Sequence, residues 1–160
     1  MTEGSPEDAR WLRYSFELAR RSRESGDQPF AAVLVGQDGE LVLEAMNSRN
    51  RERDIAAHAD MTLVRQAMKA VPLADLPRTT LYASTEPCMM CAGVIAWSRI
   101  GTVVFGLSQV RLNAIPTTMP PRFGRPTRLN ELLDGLVPSV AVRGPLLEEE
   151  AMAPHEGYWA

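Results

Sequence analysis

Cysteine is almost missing: 160 residues hold two, and histidine is as rare, with two. Two cysteines build no disulfide framework, and both fall within Cys88-Met89-Met90-Cys91, so a reduced, cytoplasmic setting is expected. Dense positive charge is lacking as well. The net charge is -3 and the pI near 5.4, and no basic run appears apart from Arg20, Arg21 and Arg23, which makes a nucleic-acid partner unexpected. Neither a signal segment nor an apolar run long enough for a bilayer is visible, so no membrane partner is expected. What is there is 45% hydrophobic residues over a length that supports a core, read as one domain spanning 1–160 without a linker.

The rare residues gather in two short stretches, His58-Ala59-Asp60 and Glu86-Pro87-Cys88-Met89-Met90-Cys91. Zinc takes imidazole nitrogen and thiolate sulfur in a tetrahedron, and three protein ligands leave the fourth position to water and hence to chemistry. Cysteines three apart on a first helical turn leave one face together, and the helix N-terminus favours thiolate over thiol. Pro87 suits the position before such a helix, where its missing N–H costs nothing. A metal-activated water still needs a carrier for its proton, and Asp60 stands two residues from His58. Plainer readings exist: a redox pair, two buried thiols, or a closed structural zinc completed by His155 or a carboxylate, with Asp60 as a solvated first-turn acid.

His-Ala-Asp followed by Glu-Pro-Cys-Met-Met-Cys resembles the zinc-deaminase signature H-x-E … P-C-x-x-C. The chain resembles the cytidine deaminase-like superfamily, in the branch that holds tRNA adenosine deaminases, guanine deaminases and related nucleobase deaminases. The likeness runs over residues 8–108, with its core motifs in 26–108: Gly26 to Val35 looks like the branch's first strand, Asn47 like its substrate asparagine, and Ser84 to Cys91 and Ser98 to Gly106 continue the match. The resemblance implies an α/β fold, three layers α-β-α around a mixed sheet of about five strands. It implies Zn2+ on His58, Cys88 and Cys91, and a homodimer. The implied reaction is hydrolytic release of ammonia from a small amino-heterocycle, first of all a free nucleobase or nucleoside, with Asp60 as proton shuttle. Phe30 would wall the pocket, with Asn47 and Ser84 beside the base, and Trp97 would either pack next to the pocket or belong to the core. Glu86 has three readings: it favours the cysteine helix electrostatically, its side chain assists the proton transfer in place of Asp60, or, as the resemblance implies, its backbone carbonyl lies beside the substrate amino group.

One departure bears on rate. Asp60 stands where the family has glutamate, which draws the carboxylate back by about one C–C bond, and misplacement of that order costs about a hundredfold. A rival reading is therefore a zinc domain that binds a nucleobase without converting it. Another is a tRNA adenosine-to-inosine deaminase, against which the acidic balance and the lack of a basic C-terminal helix weigh. Guanine deaminases carry an additional aspartate beyond the last core strand, where this chain has Ser108 to Asn113, so small single rings stay open as substrates.

Local signals give the order of elements. Ser5-Pro6-Glu7-Asp8 predicts a capped helix to about 25 with Trp11, Tyr14 or Ser15, Leu18 and Ala19 inward, and the arginines of its last turn suit a helix C-terminus. Runs 30–36 and 41–46 around Asp38-Gly39 predict a hairpin, and 48–54 a polar loop. A helix over 56–70 should bury Met61, Leu63 or Val64, Ala67 and Met68. Strand 80–84, helix 88–98 and strand 102–105 follow. Residues 106–128 read as a long loop, Thr127 as the cap of a helix ending at Gly135, 139–142 as a last strand and 145–160 as a helix and tail. In that tail His155 reads as a rim residue, while the resemblance to guanine deaminases puts Tyr158 and Trp159 over a partner subunit's site.

Overall fold

The first helix begins as its sequence predicts. Ser5 Oγ accepts from the Asp8 N–H at 3.0 Å and the Asp8 carboxylate accepts from the Ser5 N–H at 3.1 Å, a capping box that opens α1 (Pro6–Glu24). The structure, a computed structural model, describes residues 4–118, 126, 128–136 and 138–160.

β1 (Ala31–Val35) and β2 (Leu41–Met46) pair antiparallel through the turn at Gly39, which takes φ +79°. β1 is buried along its length because β3 (Thr80–Thr85) closes its other side, again antiparallel. β4 (Thr102–Leu107) and β5 (Ala141–Arg143) then add in parallel, and the sheet order is β2-β1-β3-β4-β5. Leu41 and Val42 lie on the exposed edge strand.

Two apolar layers cover this sheet. On one face α3 (Ala59–Ala70), α4 (Met89–Ser98) and α6 (Leu129–Leu133) bury Leu63, Val64, Ala67 and Ile95 against Leu34, Leu81 and Val103. On the other, α1 and α7 (Glu148–Met152) bury Trp11, Leu12 and Phe16 against Val33, Tyr82 and Val104. The approach of α1 needs Gly106, since a Cβ there would stand 2.5 Å from the Phe16 ring. Three layers around a mixed five-stranded sheet is the architecture the resemblance implied.

Several boundaries shift for local reasons. The expected loop 48–54 contains the short α2 (Arg49–Glu52). Residues 54–57 do not join α3, because Asp54 Oδ1 takes the Ala56 N–H at 2.8 Å and its carbonyl the Ala57 N–H at 3.1 Å, a turn that leaves His58 as the N-cap. Met68 faces outward at 43% exposure. The expected loop 106–128 opens with α5 (Gln109–Ala114), capped by Ser108. Thr127 lies outside the described residues, and the N-cap of α6 is Arg128. The last helix starts late because Leu146 donates its N–H to the Phe105 carbonyl at 3.1 Å.

Candidate active site

β1 begins, and β2 and β3 end, at the same end of the sheet, and the starts of α3 and α4 meet there. His58 is the N-cap of α3, Cys88 the N-cap of α4, and Cys91 lies in the first turn of α4. His58 Nδ1 stands 3.6 Å from each sulfur, and the three ligand atoms lie within 4.8 Å of one another. A tetrahedral zinc with Zn–N near 2.05 Å and Zn–S near 2.3 Å separates nitrogen from sulfur by about 3.6 Å. The trio therefore fits the ion.

The electrostatics suit a cation. A hydrogen bond from the Cys91 thiol prevails over burial and, with further bonds from His58 and the Cys91 N–H, brings Cys88 down to about 4. Giving that bond, and being buried, pushes Cys91 up. The pair thus keeps one proton, which a bound metal would displace. Asp60, in the first turn of α3, is pushed up to about 7 by burial and by the Cys88 charge, against the pull of His58 and a bond from Cys91. A carboxyl poised near neutrality can both take and give a proton.

The other expected residues divide. Asn47 is buried, its N–H bonds the Phe30 carbonyl at 2.9 Å, and its neighbour Ser48 bonds the Ala57 carbonyl at 3.0 Å, one residue from His58. Its Oδ1 accepts from the Arg49 N–H at 3.0 Å, so the end of the amide left for a ligand is the donating Nδ2. Ser84 Oγ accepts from the Ala31 N–H at 3.1 Å and joins β1 to β3. Phe30 stands half-buried beside them.

Glu86 corrects an expectation. Its side chain is 4% exposed and serves the backbone, accepting from the N–H of Gln109 at 2.8 Å and of Leu129 at 2.7 Å. It pins the starts of α5 and α6 to the end of β3, which leaves it no role in passing protons. Its carbonyl, expected beside a substrate amino group, accepts from Gln109 Nε2 at 2.7 Å and keeps a second lone pair. Trp97 is the second correction: neither core nor pocket, it is 88% exposed near the end of α4 remote from Cys88. The third is His155, which is no rim residue at 1% exposure and packs edge-on to Phe30 with ring centroids 5.3 Å apart. Trp159, also buried, lies 6.0 Å from Phe30, so the tail docks on its own chain. Sequence reasoning overlooked Gln109 and Thr85, although Thr85 adjoins the cysteine motif.

Two ligating residues at facing helix starts, a third one turn on and a carboxyl beside them define a centre for metal-assisted hydrolysis. The chain belongs to the cytidine and deoxycytidylate deaminase family, whose zinc-binding region matches residues 5–107. It is 35% identical over 161 residues to a probable cytosine deaminase from Schizosaccharomyces pombe, covering 99% of this chain and 96% of that one. To a tRNA-specific adenosine deaminase from Bacillus subtilis it is 39% identical over 100 residues, 62% of each chain. A guanine deaminase from Nitrosomonas europaea superposes with a TM-score of 0.79 at 26% identity, over 99% of this chain and 86% of that one. The protein is a zinc-dependent deaminase of the nucleobase and nucleoside class. No helix among the described residues is long and apolar enough to cross a membrane.

Proposed function

We propose that the chain deaminates a free nucleobase, with His58, Cys88 and Cys91 holding zinc and Asp60 moving the protons. One observation carries this reading: the Asp60 carboxyl, bonded by Cys91, stands beside a trio spaced for a tetrahedral ion, whose three ligands leave a fourth position to water. When bound, zinc lowers the pKa of a water enough to supply a nucleophile near neutral pH. Asp60 takes the water proton, delivers it to the ring nitrogen and passes a second to the departing ammonia. Its short side chain leaves the start of α3 to supply the missing reach. Asn47 donates to an acceptor on the ring, Phe30 walls the pocket, and the Glu86 carbonyl accepts from the amino group that leaves. Ser84 supports this wall through Ala31.

Two similarities run the whole chain, and the one with the higher identity, 35% against 26%, is to a protein named for cytosine, so an aminopyrimidine is the first base to try and guanine the next. The match to the Bacillus subtilis tRNA enzyme covers 62% of this chain and the net charge is -3, both of which favour a free base. We read the protein as a homodimer, because α4 has no charged residue and yet leaves Trp97 exposed. We read its setting as a reducing compartment such as the cytoplasm, a reading that thiol ligands favour.

The test is ammonia release by the zinc-loaded protein on cytosine, guanine, adenine, their nucleosides and an anticodon stem-loop. Turnover of a free base is the expected result. Silence of wild type on the whole panel, with activity appearing in Asp60→Glu, would replace this reading by a zinc domain that only binds.

A further inference from the structure

One buried ionisable group has no part in that chemistry. His155 ends a 3-10 turn, Ala153–His155, whose place is fixed from the end of α1: Arg23 Nη1 donates to the carbonyls of Pro154 at 3.1 Å and Glu156 at 2.6 Å. The imidazole lies nearly parallel to Trp159, with planes 12° and centroids 6.1 Å apart, and meets Phe30 edge-on. Trp159 Nε1 donates to His155 Nδ1 at 3.1 Å. An indole nitrogen only donates, so Nδ1 is a bare acceptor. Burial, aided by Arg23, brings the imidazole down to about 4, and the neutral ring therefore carries its one proton on Nε2. Nε2 faces Thr85 Oγ1 at 3.4 Å. Thr85 is thus the acceptor of that contact, and its own hydroxyl proton turns away from His155. Thr85 is 5% exposed, ends β3 and immediately precedes the Glu86-Pro87-Cys88 segment.

We propose that His155 is a positioning residue of the pocket: held in one tautomer by Trp159, it fixes the Thr85 hydroxyl as a donor to the substrate ring and braces Phe30. Thr85 and the Asn47 amide then offer two donors from the ends of β3 and β2, the strands on either side of β1. A ring with two acceptors on the edge they face, such as a nitrogen beside a carbonyl oxygen, satisfies both, and a ring with one leaves a buried donor unpaired. The inference rests on the deaminase reading and adds to it the contribution of this chain's own tail.

Two measurements on the zinc-loaded full-length protein decide it. The 15N spectrum of labelled histidine should show His155 as the Nε2–H tautomer, and the Nδ1–H tautomer overturns the proposal whatever the activity. In steady state with cytosine and 4-aminopyrimidine, which lacks the carbonyl oxygen, wild type should prefer cytosine in KM by about tenfold. Thr85→Val and His155→Leu should erase most of that preference, and His155→Gln, which can donate from nearly the place of Nε2, should restore it. If Thr85→Val keeps the preference, or His155→Gln behaves as His155→Leu while both melt near wild type, the role is packing only and the proposal fails. A wild type that releases no ammonia from any base removes the deaminase reading itself, and the proposal with it.

Discussion

Asp60 and Glu86 are acids near the same pair of helix starts, and their surroundings differ in kind. Glu86 is met by two backbone N–H groups at 2.7 and 2.8 Å, dipoles that cannot move without moving α5 and α6. Asp60 is desolvated beside the Cys88 charge and pushed up to about 7. A carboxylate whose lone pairs are engaged by fixed donors is a strut, whereas one left dry beside negative charge holds its proton on terms it can exchange.

Removing each group sharpens the contrast. Asp60→Ala should lower ammonia release by about 10²–10⁴-fold with zinc content unchanged by mass spectrometry. If Glu86→Gln, still folded, lost as much, the two roles would have been assigned the wrong way round. The expected cost of Glu86→Gln lies in stability, because an amide NH2 must then face one of the two backbone donors. We expect about 2 kcal/mol and a melting point lower by about 6 °C in calorimetry.

The pH dependence of stability breaks the comparison in a second way. In the metal-free protein the Asp60 contribution is present below 3.8 and is lost as pH rises toward about 7, since the folded state holds the proton more tightly. His155, held down near 4 from 6.5, runs the other way: its contribution is present above 6.5 and is lost as pH falls toward about 4. The two run against each other over nearly the same range, so in melting curves stability should rise with pH in Asp60→Asn, which leaves only the His155 contribution, and fall with pH in His155→Gln, which leaves only that of Asp60. The smallest effect is expected from Trp97→Ser, within about 0.5 kcal/mol for a protomer. Sedimentation should instead show weakened self-association, and an unchanged association state would remove α4 from the interface.

The sequence was most legible where neighbours in the chain are neighbours in space. Ser5 and Asp8 close their own capping box, Asp38-Gly39 turns its own hairpin, and the Cys88/Cys91 spacing spans a single helical turn. His58 was legible for another reason, since rare residue types within one motif leave few combinations. Distance in sequence hid the rest. Glu86 finds its partners 23 and 43 residues onward, and His155 meets Thr85 across 70. Trp97 was hidden by composition, because a helix apolar all round has no pattern to say which side faces in. Asp54 displaced the start of α3 through a side-chain bond that competes with helix, a choice that propensity leaves open.

The attachments of α1 have a consequence for the order of assembly. Arg13 meets Glu150 across 137 residues, Asp8 meets Arg143 across 135, and Arg23 reaches Pro154 across 131. On the ribosome the first helix emerges well before the segments that hold it, so its Trp11 and Phe16 face waits for β1, β3 and β4, and its polar attachments wait longer, for Arg143, Glu150 and Pro154. Translation thus leaves an interval in which that face is open to chaperones or to aggregation, and it closes in stages, first on the sheet and then under the segment that carries Arg143, Glu150 and Pro154.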